Sequence, residues 1–134
     1  MQVRALVTPG VVWAEADEPL TELARRMRAN RVGALPVGDG DVLRGIVTER
    51  DIVQAVADGV VETALAGERM SPDPALVGPA EDCADAALRM LELGVRHLLV
   101  IEHGAVTGVV SARDLLMISA WPERVPPVAP AAAP

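Results

Sequence analysis

The chain has 134 residues and a formal net charge of −7, and 51% of its residues are hydrophobic. The length suits one module with a core of its own, and the acidic balance argues against nucleic acid or an anionic membrane as a partner. A single Cys excludes an internal disulfide, and because no apolar run reaches the roughly 18 residues of a membrane span and no signal-peptide pattern is present, we expect a cytoplasmic protein.

The first half of the chain predicts a helix, a hairpin and a second helix. Asp17-Glu18-Pro19 is typical of a helix start, with an acid at the positive end and Pro in the first turn. The apolar stripe that follows at helical spacing consists of Leu20, Leu23, Ala24 and Met27. Arg25, Arg26 and Arg28 fall off this stripe, and we expect them to form a solvated face.

A hairpin then precedes the second helix. Residues 34–37 and 42–47 predict two short strands, and Gly38-Asp39-Gly40-Asp41 between them is a turn signal. The turn lacks the twelve-residue ligand pattern of a calcium loop. Residues 48–58 predict a helix, which Gly59 ends.

The second half predicts the same elements again after a connector near residues 60–68. Residues 75–77 are extended, 95–100 form a strand, and 111–120 form the last helix. The apolar helical stripe between them is Cys83, Ala86, Ala87 and Met90, which makes Cys83 a core residue. The Pro- and Ala-rich composition of residues 122–134 predicts a disordered tail.

One motif occurs twice, and it organises the chain. Gly45-Ile46-Val47-Thr48-Glu49-Arg50-Asp51 is echoed 63 positions later by Gly108-Val109-Val110-Ser111-Ala112-Arg113-Asp114. The same offset aligns Pro9 with Pro72, Glu18 with Glu81, Arg26 with Arg89 and Met27 with Met90. We therefore predict a first repeat over residues 1–62 and a second over 63–121, packed together about a pseudo-twofold axis because neither buries enough apolar area alone.

The polar residues of this motif have two interpretations. Thr48 with Asp51, and Ser111 with Asp114, have the spacing of a helix N-cap whose carboxylate lies in the first turn. The same geometry suits a ligand, since a helix N-terminus offers N–H donors to a phosphate and a nearby carboxylate can accept from a ribose diol. The sequence leaves both interpretations open.

The order of elements, with Ala34-Leu35-Pro36-Val37 before the first motif and Val95-Arg96-His97-Leu98-Leu99-Val100 before the second, resembles a pair of CBS domains, or Bateman module. The resemblance covers about residues 3–120. It implies an α/β (α+β) fold of two pseudo-symmetric repeats, each β-α-β-β-α, packed as one module. Leu99 departs from the family pattern, which often has Pro there, as at Pro36.

The resemblance also implies a regulatory protein, not an enzyme, that binds AMP, ADP, ATP or S-adenosylmethionine in the cleft between the repeats. Asp51 and Asp114 would hold ribose hydroxyls, with Thr48 and Ser111 near ribose or phosphate. The implied adenine contacts are Val12, Ala75, Val32, Ala34 and Val95, each of which has a core position as its alternative. Arg96 and His97 stand where the family often contacts phosphate, and Arg96 is expected to serve the nucleotide held by Asp51.

Two other classes of function remain, an enzyme and a ligand-free scaffold of the same fold. No nucleophile–base pattern, phosphate loop or closely spaced set of metal ligands is present, so we expect neither catalysis nor a metal. A ligand-free scaffold that acts through dimerisation is the alternative to a ligand sensor. In both cases we expect a homodimer, because residues of the 48–58 and 111–120 helices are apolar on more than one side, and an unknown regulated partner protein.

Overall fold

The computed structural model describes residues 1–7, 10–39 and 42–120, of which residues 119 and 120 are described by their backbone alone. It has a mixed α+β fold, which confirms the predicted fold class. In chain order the elements are a 3-10 turn (Val3–Leu6), α1 (Leu20–Asn30), β1 (Ala34–Asp39), β2 (Val42–Thr48), α2 (Glu49–Ala57), α3 (Ala66–Arg69), β3 (Leu76–Val77), α4 (Cys83–Leu93), β4 (His97–Glu102), β5 (Ala105–Ser111) and α5 (Ala112–Ala120). The predicted tail, residues 122–134, lies outside the described residues.

The chain forms two compact units that do not share the boundaries of the sequence repeats. The repeat-1 unit comprises residues 12–74, and the repeat-2 unit combines residues 1–11 with the chain from residue 75 onward. The first turn of each repeat thus belongs to the unit built by the other repeat.

Equivalent hydrogen bonds fix the two exchanged turns. In the repeat-2 unit the Val3 N–H donates to the Glu81 carbonyl at 2.9 Å. In the repeat-1 unit the Ala66 N–H donates to the Glu18 carbonyl at 2.8 Å. Val3 and Ala66 are both fully buried, so each turn also contributes to a core.

The repeat-1 unit has a two-stranded antiparallel sheet. β1 pairs with β2 so that Ala34 lies opposite Thr48. The predicted turn residues 40 and 41 lie outside the described residues. The extended segment before α1 contacts this sheet through a single parallel bridge between Ala14 and Val37.

The repeat-2 unit has three strands because its first extended segment pairs fully. β3 runs parallel to β4, β4 runs antiparallel to β5, and the Leu99 N–H donates to the Ala75 carbonyl at 2.9 Å. The residue equivalent to Leu99 in repeat 1 is Pro36, which has no N–H to donate to Val12. The residue that departs from the family pattern therefore completes the second sheet.

Each unit has its own core of aliphatic side chains. The largest fully buried side chains include Leu20, Leu23, Leu35, Leu98 and Leu99. Cys83 is buried in the repeat-2 core, as predicted, and this burial raises the pKa of its thiol. The apolar stripes of α1 and α4 thus form equivalent parts of the two cores.

A neighbouring segment packs closely against the glycine that opens each copy of the repeated motif. A Cβ on Gly45 would come within 2.6 Å of the Ser71 carbonyl oxygen and 2.7 Å of the Met70 sulfur. A Cβ on Gly108 would lie 2.1 Å from Cγ1 of Val7. At Gly45, where the Ser71 backbone is the neighbour, only glycine permits this approach, so the first motif encodes packing as well as its polar residues.

Among the residues that the structure describes, no helix is long and apolar enough to cross a membrane.

Candidate functional site

The first candidate site is the junction at which β2 ends and α2 begins. The Asp51 carboxylate oxygen Oδ2 accepts the backbone N–H of Thr48 at 2.8 Å and lies 3.2 Å from the Thr48 hydroxyl. Thr48 has the extended backbone of an N-cap, with φ −115° and ψ 170°. The capping interpretation of this pair is therefore realised, and both side chains remain half-buried.

The second junction, between β5 and α5, repeats this arrangement. Oδ2 of Asp114 accepts the backbone N–H of Ser111 at 3.0 Å, and the Asp114 N–H donates to the Ser111 hydroxyl at 3.2 Å. These reciprocal bonds form a capping box. Within the described part of the chain, Oδ1 of Asp51 and of Asp114 accepts no hydrogen bond, so capping occupies only one oxygen of each carboxylate.

Strand register brings further predicted residues to each junction. Ala34 is paired with Thr48, and His97 is paired with Ser111. The first N–H of α5 at Ala112 donates to the Arg96 carbonyl at 2.8 Å. The equivalent bond in the repeat-1 unit runs from the Glu49 N–H to the Gly33 carbonyl at 3.0 Å. The residues at the start of β1 and β4 are thereby held beside the helix that each junction begins.

The predicted apolar contacts differ in how accessible they are. Val12, Ala75 and Val95 are half-buried and pack against the core of their own unit. Val32 is 36% exposed, whereas Ala34 is only 2% exposed and its methyl group belongs to the buried set. A ligand at the first junction would accordingly meet the backbone of Ala34 rather than its side chain.

Arg96 is the clearest difference between the two units. It is exposed, and its equivalent in repeat 1 is Gly33. Together with Val95 it lines an apolar groove of about 450 Å³ between α4 and α5, which Leu91 and Leu116 also line. His97, next along the chain, is half-buried.

Two ion pairs, one in each unit, were not predicted from the sequence. Arg26, expected on a solvated face, instead forms a half-buried pair with Glu18, and Arg89 pairs with Glu81 in the other unit. The signal that predicts them is the Glu–Arg spacing of eight residues, which recurs in both repeats. Arg25 and Arg28 are exposed, as expected.

The acidic members of these pairs are stabilised in their charged form. The hydrogen bond from Arg26 holds the pKa of Glu18 below its ordinary value, with a further contribution from the Glu15 N–H. For Glu81 the largest cause of the lowered pKa is the backbone N–H of Gly78, followed among the lowering effects by Arg89. Burial opposes the shift in both cases.

The residues that the structure describes contain no candidate metal site. No group of three or more His, Cys, Asp or Glu side chains there could hold a metal ion. Each junction offers a hydroxyl, a carboxylate and helix N-terminal N–H groups, which suit the binding of a polar ligand.

The fold and its two matching junctions define a tandem-repeat α+β module. The family model described as the CBS domain matches residues 3–58 and again residues 66–120. The chain therefore belongs to the CBS domain family and contains a CBS pair.

Relatives of similar sequence agree with this assignment. Hypoxic response protein 1 of Mycobacterium tuberculosis is 35% identical over 115 residues, which cover 84% of this chain and 80% of that protein. The uncharacterized protein MJ1225 of Methanocaldococcus jannaschii is 26% identical over 117 residues, and the match spans 87% of this chain but only 42% of that longer protein.

Solved structures share the architecture. A crystal structure of Hypoxic Response Protein I with two coordinated zinc ions matches with a TM-score of 0.73 and 33% identity, covering 87% of this chain and 98% of that one. The CBS domain pair of protein MJ0100, in complex with 5-methylthioadenosine and S-adenosyl-L-methionine, matches with a TM-score of 0.84 over 92% of this chain and 98% of that one. Its identity is 20%, so this likeness speaks for the fold alone.

Proposed function

We propose that this CBS pair is a cytoplasmic regulatory module, not an enzyme, which senses an adenosine ligand such as AMP, ADP, ATP or S-adenosylmethionine. The observation that carries the proposal is the duplicated junction, in which Asp51 and Asp114 each cap a helix through Oδ2 and keep Oδ1 open. An open carboxylate oxygen is an acceptor for a ribose hydroxyl, and the adjacent helix N-terminus is favourable for a phosphate.

The known complex of MJ0100 with two adenosine compounds supports the ligand class. Both compounds share the ribose diol that an open carboxylate oxygen would accept. In this proposal the hydroxyls of Thr48 and Ser111 lie near the ribose or phosphate, and Val12 and Ala75 flank the adenine. Arg96 adds positive charge for a phosphate, and no metal takes part.

A thermal-shift screen tests the proposal. AMP, ADP, ATP, NAD and S-adenosylmethionine are added singly. A ligand that binds only the folded state stabilises it, by about 2.7 kcal/mol at 100 times its Kd, and therefore raises the melting temperature. The matched control is the double variant Asp51→Asn/Asp114→Asn. A shift in the wild type that disappears in the double variant is expected, and no shift with any of the five compounds would contradict the proposal.

A ligand-free scaffold is the second candidate, and one observation favours it. The groove between α4 and α5 is rimmed by Leu91 and Leu116, whose side chains are 80% and 68% exposed. A contiguous exposed apolar patch commonly marks a protein interface. We propose that a second copy of the chain covers this face, and that the resulting homodimer acts on a further protein.

A further inference from the structure

In each unit an arginine donates a hydrogen bond to a backbone carbonyl next to a proposed adenine contact. The carbonyl belongs to the residue that follows Val12 in one unit and Ala75 in the other. Nη1 of Arg26 donates to the Trp13 carbonyl at 2.8 Å and to Oε1 of Glu18 at 3.0 Å, while Nη2 donates to Oε2 of Glu18. The guanidinium therefore bridges one backbone carbonyl and both oxygens of one carboxylate. Oε1 of Glu18 also accepts the Glu15 N–H at 2.8 Å, which ties the bridge to the loop that leads into α1.

The repeat-2 unit contains an equivalent bridge, in which the arginine contacts one oxygen of the carboxylate instead of both. Nη1 of Arg89 donates to the Leu76 carbonyl at 2.5 Å, and Nη2 donates to Glu81. The second oxygen of Glu81 accepts the Gly78 N–H at 2.5 Å. Every member of this bridge stands 63 positions after its counterpart in repeat 1, so the arrangement belongs to the repeated unit and is not an accident of one loop.

The bridge immobilises the extended segment from the side that the sheet leaves free. The Ala14 N–H donates to the Pro36 carbonyl at 2.9 Å, and the Ala14 carbonyl accepts the Gly38 N–H at 2.9 Å. Arg26 holds the preceding carbonyl, that of Trp13. Because Pro36 cannot donate a hydrogen bond to Val12, the arginine is the nearest polar anchor for the segment that carries Val12.

The Arg26–Glu18 pair is better placed than an ordinary surface ion pair. The side chains of Arg26 and Glu18 are 24% and 23% exposed, whereas that of Arg25 on the same helix is 73% exposed. Partial burial and bidentate geometry strengthen such an interaction and restrict its orientation. The pair thus has the rigidity that positioning a neighbouring backbone segment requires.

We propose that Arg26 and Arg89 are positioning residues for the adenosine ligand, each fixing the segment that presents Val12 or Ala75 to the adenine ring. This inference rests on the proposed function. Dispersion between a flat ring and an aliphatic wall falls steeply once the two separate by 0.5–1 Å, so a wall that drifts loses much of its contact energy. Neither arginine touches the ligand in this proposal, because each acts through the backbone of the extended segment.

The test compares Arg26→Gln and Arg89→Gln with Arg25→Gln, an exposed control on α1. AMP and S-adenosylmethionine are titrated calorimetrically into each variant at a temperature well below all melting transitions, so that folding itself does not limit binding. We expect Arg26→Gln to weaken one class of site by about ten-fold, equivalent to about 1.4 kcal/mol. Arg89→Gln should weaken the other class by less, because the Leu99 N–H also holds the Ala75 carbonyl. Arg26→Lys should restore part of this loss, since one ammonium group cannot reproduce the bidentate fork.

Hydrogen exchange adds a measurement that needs no ligand. In Arg26→Gln the amides of Ala14 and Gly38, which bond the segment to β1, should exchange faster than in Arg25→Gln. Lower melting temperatures with unchanged Kd values and unchanged exchange would overturn the inference and leave the pairs with a purely stabilising role. Failure of the wild-type chain to bind any of the five compounds of the thermal-shift screen would instead reject the proposed function, and the positioning of a ligand with it.

Discussion

Arg31 and Gly94 end α1 and α4 at equivalent positions, and both adopt the left-handed backbone conformation. Their φ and ψ angles are 56° and 44° for Arg31, and 68° and 30° for Gly94. Glycine enters this region without penalty, whereas a residue with a Cβ meets its own carbonyl oxygen there. Repeat 2 thus ends its helix with the favoured residue, whereas in repeat 1 the backbone of Arg31 is strained.

We predict that Arg31→Gly raises the free energy of unfolding by about 0.5–1 kcal/mol, because relief of this strain outweighs the added freedom of the unfolded chain. Urea denaturation measures the change. The matched control is Gly94→Ala, which should lower stability by about 1 kcal/mol for the opposite reason. An added Cβ on Gly94 meets no atom within 4 Å, so its effect reports backbone strain alone. Equal effects of the two changes would contradict the explanation.

Asp51→Asn and Asp114→Asn separate capping from ligand binding. Loss of the caps alone should cost about 0.5–1 kcal/mol of stability and leave binding unchanged. If the carboxylates also hold a ribose diol, binding at the altered site should weaken by about 1.5–3 kcal/mol. Calorimetric titration of AMP measures this, with Asp73→Asn, at an exposed residue between α3 and β3, as the control.

Arg96→Ala extends the same experiment to the phosphate. Combined with each aspartate variant in a double-mutant cycle, it shows which nucleotide the guanidinium serves. We expect coupling to Asp51, as the family resemblance implies. Coupling to Asp114 alone would reverse that assignment, and unchanged binding in every variant would leave both aspartates with their capping role only.

Val3→Ala tests the exchanged first turn. Val3 is fully buried in the repeat-2 core although it stands at the opposite end of the sequence from most of that core. Removing its two methyl groups should lower the free energy of unfolding by about 2 kcal/mol. Val53→Ala is the control, since Val53 is 66% exposed on α2 and should change stability by no more than about 0.5 kcal/mol. If Val3→Ala and Val53→Ala both lowered stability by equally small amounts, the first turn, Val3–Leu6, would not be packed on the repeat-2 core.

The Arg–Glu pairs predict how stability depends on pH. The pKa of Glu18 is lowered in the folded chain, chiefly by Arg26, so folding favours the charged carboxylate. The stabilisation is complete above the ordinary glutamate pKa of about 4.3 and is lost as the pH falls through the lowered folded value. Denaturation of the wild type and Glu18→Gln at pH 7 and pH 3 measures it. The difference in the free energy of unfolding between the wild type and Glu18→Gln should be smaller at pH 3 than at pH 7. An unchanged difference would show that the charge on Glu18 does not contribute to stability. Glu62→Gln, at an exposed glutamate, is the control.

Light scattering tests the homodimer. A single chain has a mass of 14.0 kDa, so the wild type should scatter as a particle of about twice that mass at micromolar concentration. Leu91→Glu places a charge on the rim of the α4–α5 groove and should shift the protein towards the monomer. Leu93→Glu is the control, because Leu93 is 56% exposed on the same helix but does not line the groove. A wild-type mass near 14 kDa would reject the dimer.

The sequence by itself determined the features that depend on neighbours along the chain. The 63-residue repeat, the helical stripes and the N-caps at Thr48 and Ser111 could all be predicted, since periodicity and capping act within a few residues. The burial of Cys83 followed in the same way from its place in the α4 stripe. The duplicated motif also identified the two strand-to-helix junctions correctly.

Tertiary structure decided what depends on contacts between distant segments. The exchange of first turns joins residues such as Val3 and Glu81, and no local pattern encodes which unit a turn will join. The role of Arg26 depended on the position of the Trp13 carbonyl, so an arginine that looked like part of a solvated face became a backbone anchor. Pro36 removed one N–H from a strand whose partner lies over twenty residues away, and this single missing donor left the first sheet with two strands and the second with three.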